Sequence, residues 1–131
     1  MGYLNKATIL AAVDVKFEDV QVPEWGGMVC VRGLSGAERD DFEGSIVETK
    51  GKKTKLNTHN IRAKLVSLSV CDEDGERLFG AGDVRALGNK SAAALERVFK
   101  VAQRLSGISD EDVEELEKNS SDGQSASSTL D

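Results

Sequence analysis

The stretch VPEWGGMVCVRGLSGAERDDFE, Val22 to Glu43, decides the fold, because two strands, a tight turn and a helix start follow one another within it. Val20 and Val22 alternate with Gln21, and Met28 to Arg32 is a short run rich in β-branched residues. Strands are therefore expected on either side of Pro23-Glu24-Trp25-Gly26-Gly27. The glycine pair supplies the positive φ of a hairpin turn. Pro23, which has no N–H, fits only where the ladder needs none. Ser35 and Glu38 then match a capping box, in which the serine oxygen accepts from the Glu38 N–H and the glutamate reaches back to Ser35. The pattern predicts a helix from Gly36 to about Glu48, with Phe42 and Ile46 four apart on one face.

Upstream, Asn5 can cap a short helix through Thr8 to Ala12, and Asp14 to Asp19 reads as a connector because the valine alternation changes phase there. Downstream, Thr49 to Asn57 is rich in lysine and has no apolar period. It reads as an exposed loop, or as a contact site for an anionic partner. Thr58 offers an N-cap for a helix carrying Ile61, Leu65 and Leu68, with strand character left open around Leu68 to Cys71. Gly80 to Gly88 reads as a short helix. The strongest helical pattern is Ser91 to Ser106, where Leu95, Val98, Phe99, Ala102 and Leu105 share one face. Gly107 stops it as a left-handed cap. Ser109 and Asp112 form a second capping box, and Ile108 and Val113 stand at staple positions for an acidic helix to about Lys118. The expected fold is α+β: a small antiparallel hairpin near the N-terminus packed with about five helices in one domain, residues 1–118. The polar, Ser-rich segment 119–131 is expected to be disordered.

Composition limits what such a chain can do. Hydrophobic residues make up 39% and aromatics 5% of 131 residues, so the core is aliphatic. Residues 107–131 hold eight Asp or Glu against one Lys, a net −7, while residues 1–106 hold sixteen Lys or Arg against fifteen Asp or Glu, a net +1. A near-neutral body with an acidic end argues against general nucleic-acid affinity, which needs a basic face. Cys30 and Cys71 lie in apolar surroundings without a C-x-x-C spacing, which suits free thiols in a reducing cytoplasm; a single disulfide is the other reading. No apolar run approaches ~18 residues, the length of a membrane span. The N-terminus lacks the basic and long apolar regions of a signal peptide.

Reactive chemistry finds no support in the pattern. His59 is the single histidine and falls at a helix start. The acidic turn at Asp72-Glu73-Asp74-Gly75 would put Val70 at the first ligand position of a calcium loop, so the match fails. Zinc needs about four nitrogen or sulfur ligands, and the chain holds three candidates. Neither glycine cluster fits a phosphate-binding loop. The reading is of a non-enzyme without metal or cofactor. Binding remains. Trp25 in its glycine-rich turn either folds back on the sheet or stands out as a partner anchor. The Leu95–Leu105 stripe is either core or interface.

The pattern VPEWGG-x-V-x-VRGL-S-G-x-ER at Val22 to Arg39, followed by ALERVF at Ala94 to Phe99, resembles the tail assembly chaperones of long-tailed (siphovirus-type) bacteriophages, especially those of actinobacterial phages and prophages. The resemblance spans roughly residues 15–118. It implies a protein that coats the tape measure protein, keeps it soluble, helps recruit major tail tube subunits and then leaves. On this reading it works in the host cell cytoplasm and is absent from the mature virion. Self-association is expected, together with a longer frameshifted version of the chain, of which this looks like the short product. Trp25, Leu95, Val98, Phe99, Ala102 and Leu105 become the candidate partner-binding residues, with no nucleic acid and no membrane as partners. The alternatives are a minor virion protein such as a head–tail connector, or a small regulator binding nucleic acid through Lys50 to Lys55.

The two ends of the acidic region should behave differently. Ordering residues 119–131 would cost roughly 1–2 kcal/mol per residue in backbone entropy, with almost no apolar surface to offset it. Deleting them should leave the melting temperature unchanged, whereas truncation at Gly107 should lower it. Equal effects of the two truncations in a thermal melt would overturn this reading.

Overall fold

The computed structural model describes residues 2–118. Asn5 caps the first helix, α1 (Lys6–Ala11), its side-chain oxygen accepting from the Thr8 N–H at 2.9 Å. Strands β1 (Phe17–Val22) and β2 (Gly27–Arg32) pair antiparallel, with Phe17 opposite Arg32 and Val22 opposite Gly27. A single 3₁₀ turn, Pro23–Trp25, joins them, and Gly26 closes it at φ 82°. One glycine, not both, carries the left-handed residue; Gly27 already belongs to β2.

β1 begins at Phe17, inside the segment expected to be a connector. The reason is electrostatic. Glu18 shares the inward face with the buried Val20 and Val22, so a charge breaks the apolar period. That charge is satisfied by Arg104, whose Nη2 donates to both Glu18 oxygens at 2.9 and 2.8 Å.

The capping box forms as expected. Ser35 Oγ accepts from the Glu38 N–H at 3.2 Å, and Glu38 Oε1 accepts from the Ser35 N–H at 2.9 Å. The helix it starts, α2 (Gly36–Ser45), ends earlier than the sequence pattern implies. Beyond it, β3 (Val47–Lys50) and β4 (Lys53–Leu56) form a two-stranded ribbon that turns at Gly51, φ 62°. The expected helix end and lysine-rich loop are therefore a second hairpin. Its polar residues on both faces conceal the period of two, and its β-branched Val47, Thr49 and Thr54 are the trace that remains.

Helix α3 (Ile61–Ser69) starts at Asn60 in the left-handed region, φ 61°, not at a Thr58 side-chain cap. Thr58 contributes its carbonyl, which accepts from the Ile61 N–H at 3.0 Å. Asparagine tolerates this conformation better than most residues, which lets the chain reverse out of β4. After α3, β5 (Val70–Cys71) adds to the free edge of β2, with Cys30 opposite Cys71, giving the sheet order β1-β2-β5. A 3₁₀ turn, Ala81–Asp83, leads into α4 (Val84–Gly88). Helix α5 (Ala92–Leu105) is capped by Ser91 Oγ, which accepts from the Ala94 N–H at 3.2 Å, and is followed by Gly107 at φ 72°. The last described helix, α6, covers residues 110–118. Ser109 and Asp112 cap it reciprocally, at 3.0 and 2.9 Å, and Ile108 and Val113 are both buried. The segment 119–131 lies outside the described residues.

The chain is thus an α+β fold, with its core around α5. Leu95, Val98, Phe99 and Ala102 of α5 are buried among Ile61, Leu65 and Val66 of α3 and Val20, Val22 and Val31 of the sheet. No helix among the described residues is long and apolar enough to cross a membrane.

Gly33 sets how closely β2 approaches α5. A Cβ on it would lie 2.5 Å from the Leu105 carbonyl oxygen, and the adjoining Leu34 N–H donates to Ser106 Oγ at 2.9 Å. Backbone cannot yield as a side chain would, so Gly33→Ala should cost about 2 kcal/mol. A chemical denaturation midpoint equal to wild type would show that the two segments separate freely.

A second expectation concerns acid. Burial pushes the Glu38 carboxyl up, but the Ser35 N–H and the Arg32 guanidinium outweigh it and hold the group below its ordinary value. A carboxylate depressed in the folded state stabilises above its unfolded pKa, and this contribution is lost as pH falls through the folded value. Glu38→Gln should therefore lose less stability than wild type between neutral pH and about pH 3. Identical acid losses, read from urea midpoints, would rule this out.

Candidate functional site

Trp25 sits on the 3₁₀ turn at the far end of the β1–β2 hairpin, half-buried against the core. The turn is pinned to α5 by its neighbour. Arg97 Nη1 and Nη2 donate to the two Glu24 carboxylate oxygens at 2.7 and 3.0 Å, a bidentate pair. These hydrogen bonds hold the Glu24 carboxyl down to about 2. The indole is thus placed by a fixed backbone turn and an ion pair with the adjacent helix.

Beside it lies a groove of about 230 Å³, lined by Trp25, Phe79, Asp83, Ala86, Leu87 and Lys90. Three separate segments build it: the hairpin turn, the stretch after β5, and α4. Its floor and walls are mainly hydrocarbon, with Asp83 and Lys90 supplying the charges. The Trp25 Nε1 is buried and has no hydrogen-bond partner. A buried indole N–H normally finds an acceptor, so this donor is an exception, enclosed by the protein and not presented to the groove.

The other candidate residues lie beneath this surface. Leu95, Val98, Phe99 and Ala102 are buried and Leu105 is half-buried, so in this fold the α5 stripe faces the core, the same buried cluster against which Trp25 packs. Sequence reasoning found Trp25 but missed Phe79, Ala86 and Leu87, which no local pattern connects to it. Their only shared signal is that each is apolar in a short, weakly amphipathic segment.

Groups able to do chemistry are scattered. His59 is exposed on the turn before α3, its backbone N–H donating to Asn57 Oδ1 at 2.9 Å. Cys30 and Cys71 are free thiols facing each other across β2 and β5. Burial, reinforced by Cys30, pushes the Cys71 thiol up to about 12, the reverse of what an activated nucleophile requires. Among the described residues, no cluster of His, Cys, Asp or Glu is arranged to hold a metal ion.

The N-terminal segment is a different kind of surface. Tyr3, Leu4, Ile9, Leu10 and Val13 are all exposed, Tyr3 and Val13 almost completely, and α1 buries none of its residues. Sequence reasoning found the helix but not its isolation, because a helical pattern does not show what covers it.

Two comparisons bear on identity. The solved structure of the bacteriophage HK97 tail assembly chaperone has a similar fold, with a TM-score of 0.53 at 22% sequence identity, covering 76% of this chain and 95% of that one. No curated protein sequence matches the chain. A family model described as phage tail assembly chaperone matches residues 5–119, nearly the whole of the fold described above. With a match of that extent, the chain belongs to the phage tail assembly chaperone family.

Proposed function

We infer that this chain, as a member of the family, interacts with tail proteins. We propose that the client is the tape measure protein, and that the chain shields apolar stripes on that long helical protein until tail tube subunits assemble around it. It acts by binding and not by catalysis, in the host cell cytoplasm, and leaves before the virion is complete. Copies of the chain associate with one another, and a longer frameshifted product shares the task.

The observation that carries this reading is the groove beside Trp25. Its apolar walls suit large aliphatic side chains of an amphipathic helix, and Asp83 and Lys90 stand at the groove for that helix's polar flank. The α5 stripe contributes only through the core, since Trp25 packs against the buried cluster to which Leu95, Val98 and Phe99 belong. Leu105 is half-buried at the other end of that helix.

Co-expression tests the proposal. The soluble fraction of the cognate tape measure protein should rise when this chain is present, and a complex should survive gel filtration. Ala86→Arg puts a charge into the groove at an exposed helix position, so it should remove most of the rescue while the melting temperature stays at wild type. Unchanged client solubility with the wild-type chain would refute the function. Full rescue by the Ala86→Arg chain would refute the groove as its site.

A further inference from the structure

We propose that Cys30 and Cys71 form a reversible redox pair, which closes into a disulfide between β2 and β5 when the chain meets a low-molecular-weight disulfide. The register carries the argument. Cys30 stands directly opposite Cys71 in an antiparallel pair. Opposed residues of such a pair point to the same face, with Cα atoms about 4.5–5.5 Å apart, inside the range of roughly 4.4–6.8 Å that a disulfide spans. The Cys71 side chain already leans toward its partner strand, its S–H donating to the Cys30 carbonyl oxygen at 3.6 Å. The adjoining pair, Val31 and Val70, belongs to the buried cluster, so the two thiols fall on the opposite face of the sheet. A bond between them leaves the core packing untouched. Both thiols are free, which makes this the reduced form of the site.

The two cysteines differ in access, and this orders the chemistry. Cys30 is half-buried, whereas Cys71 is only 2% exposed and burial holds its thiol protonated. Cys30 therefore reacts first. Its thiolate attacks one sulfur of the small disulfide, a mixed disulfide forms, and the other half of the reagent leaves as a thiolate. The Cys71 sulfur then attacks the Cys30 sulfur, and the second small thiol leaves with the Cys71 proton. Two protein thiols and one small disulfide become one protein disulfide and two small thiols. An excess of small thiol runs the exchange backwards, so the dithiol persists in a reducing compartment.

The bond has a structural consequence because β5 is lightly held. Two residue pairs join it to β2. Beyond β5 the chain turns at Gly75 and returns, the Leu78 N–H donating to the Val70 carbonyl at 3.1 Å, and Phe79 of the groove follows directly. On the other side, the turn carrying Trp25 runs into β2. A covalent tie between the two strands thus fixes the segment bearing Phe79 relative to the strand that leaves the Trp25 turn. It also closes a loop containing α2, the β3–β4 ribbon and α3, which restricts the unfolded chain.

Exposure of the folded chain to oxidised glutathione, followed by intact-mass measurement and thiol titration, tests the pair. Wild type should lose both thiols and two hydrogens, remain a single unlinked chain without a glutathione adduct, and recover both thiols in dithiothreitol. Its melting temperature should rise by about 5 °C or more on oxidation. Cys71→Ser should stop at one glutathione adduct, on Cys30, whereas Cys30→Ser should take none at the buried Cys71. Wild-type thiols that stay free, a lasting glutathione adduct on wild type, or chains linked to one another would each overturn the proposal. Oxidation that lowers the melting temperature would also overturn it, because the strands would then have to separate for the bond to form. The wild-type result stands by itself if either serine variant fails to fold.

Discussion

The packing of α5 between α3 and the β1–β2 sheet is the constraint on which the other elements depend. Val98, Phe99 and Ala102 are almost fully buried at this seam, and a buried Val or Phe side chain contributes about 1.5–3 kcal/mol. Polar contacts then fix the orientation of what surrounds it. Arg62 of α3 lies 5.3 Å from the Phe99 ring centre, pairs with Glu96 of α5, and reaches Glu117 of α6 at 3.6 Å. Arg97 and Arg104, on the same helix, hold the two ends of the hairpin through Glu24 and Glu18. One helix thus sets the position of the sheet, of α3 and of the acidic helix that follows. Exposed ion pairs are individually weak, so the apolar seam supplies the stability and the pairs select the alignment.

Elements whose signals are local were legible in the sequence. Both Ser capping boxes, the α5 stripe, the Gly107 stop and the Ile108–Val113 staple each depend on residues within a few positions of one another, and all are present. Elements whose stabilisation comes from elsewhere were not. β1 hides its start because Glu18 points inward to a partner 86 residues away. The β3–β4 ribbon has no buried face to impose alternation. Asn60 begins α3 through backbone geometry, which leaves no side-chain signature. The groove was half legible for the same reason: Trp25 declares itself as an aromatic in a turn, but only the packing of α4 on α3 brings Ala86 and Leu87 beside it.

The charge distribution separates holding the fold from meeting partners. Near-neutral residues 1–106 contain the sheet and five of the helices, and the acidity is confined to α6 and the residues after it. Within α6 the apolar Val113 is buried and Leu116 is half-buried, while Glu111, Glu114 and Glu115 face water. The acidic end is thereby docked on one face and repels like charge on the other. Its sign keeps this end of the molecule away from other acidic surfaces without requiring a specific contact.

The β3–β4 ribbon has a consequence for how the fold tolerates change. It is tied to the body near its base, where Ile46 is buried and its carbonyl accepts from the Asn57 N–H. Toward the Gly51 turn, Thr49, Lys53 and Thr54 are exposed and lie outside the buried cluster. Amides of these residues will exchange with solvent by local opening, far faster than those of α3 or α5. Insertions or deletions made in matched pairs at this tip alter the reach of the ribbon but leave the face orientation of every remaining residue intact. Length variation among homologous chains can therefore collect at the tip without disturbing the seam that holds the molecule together.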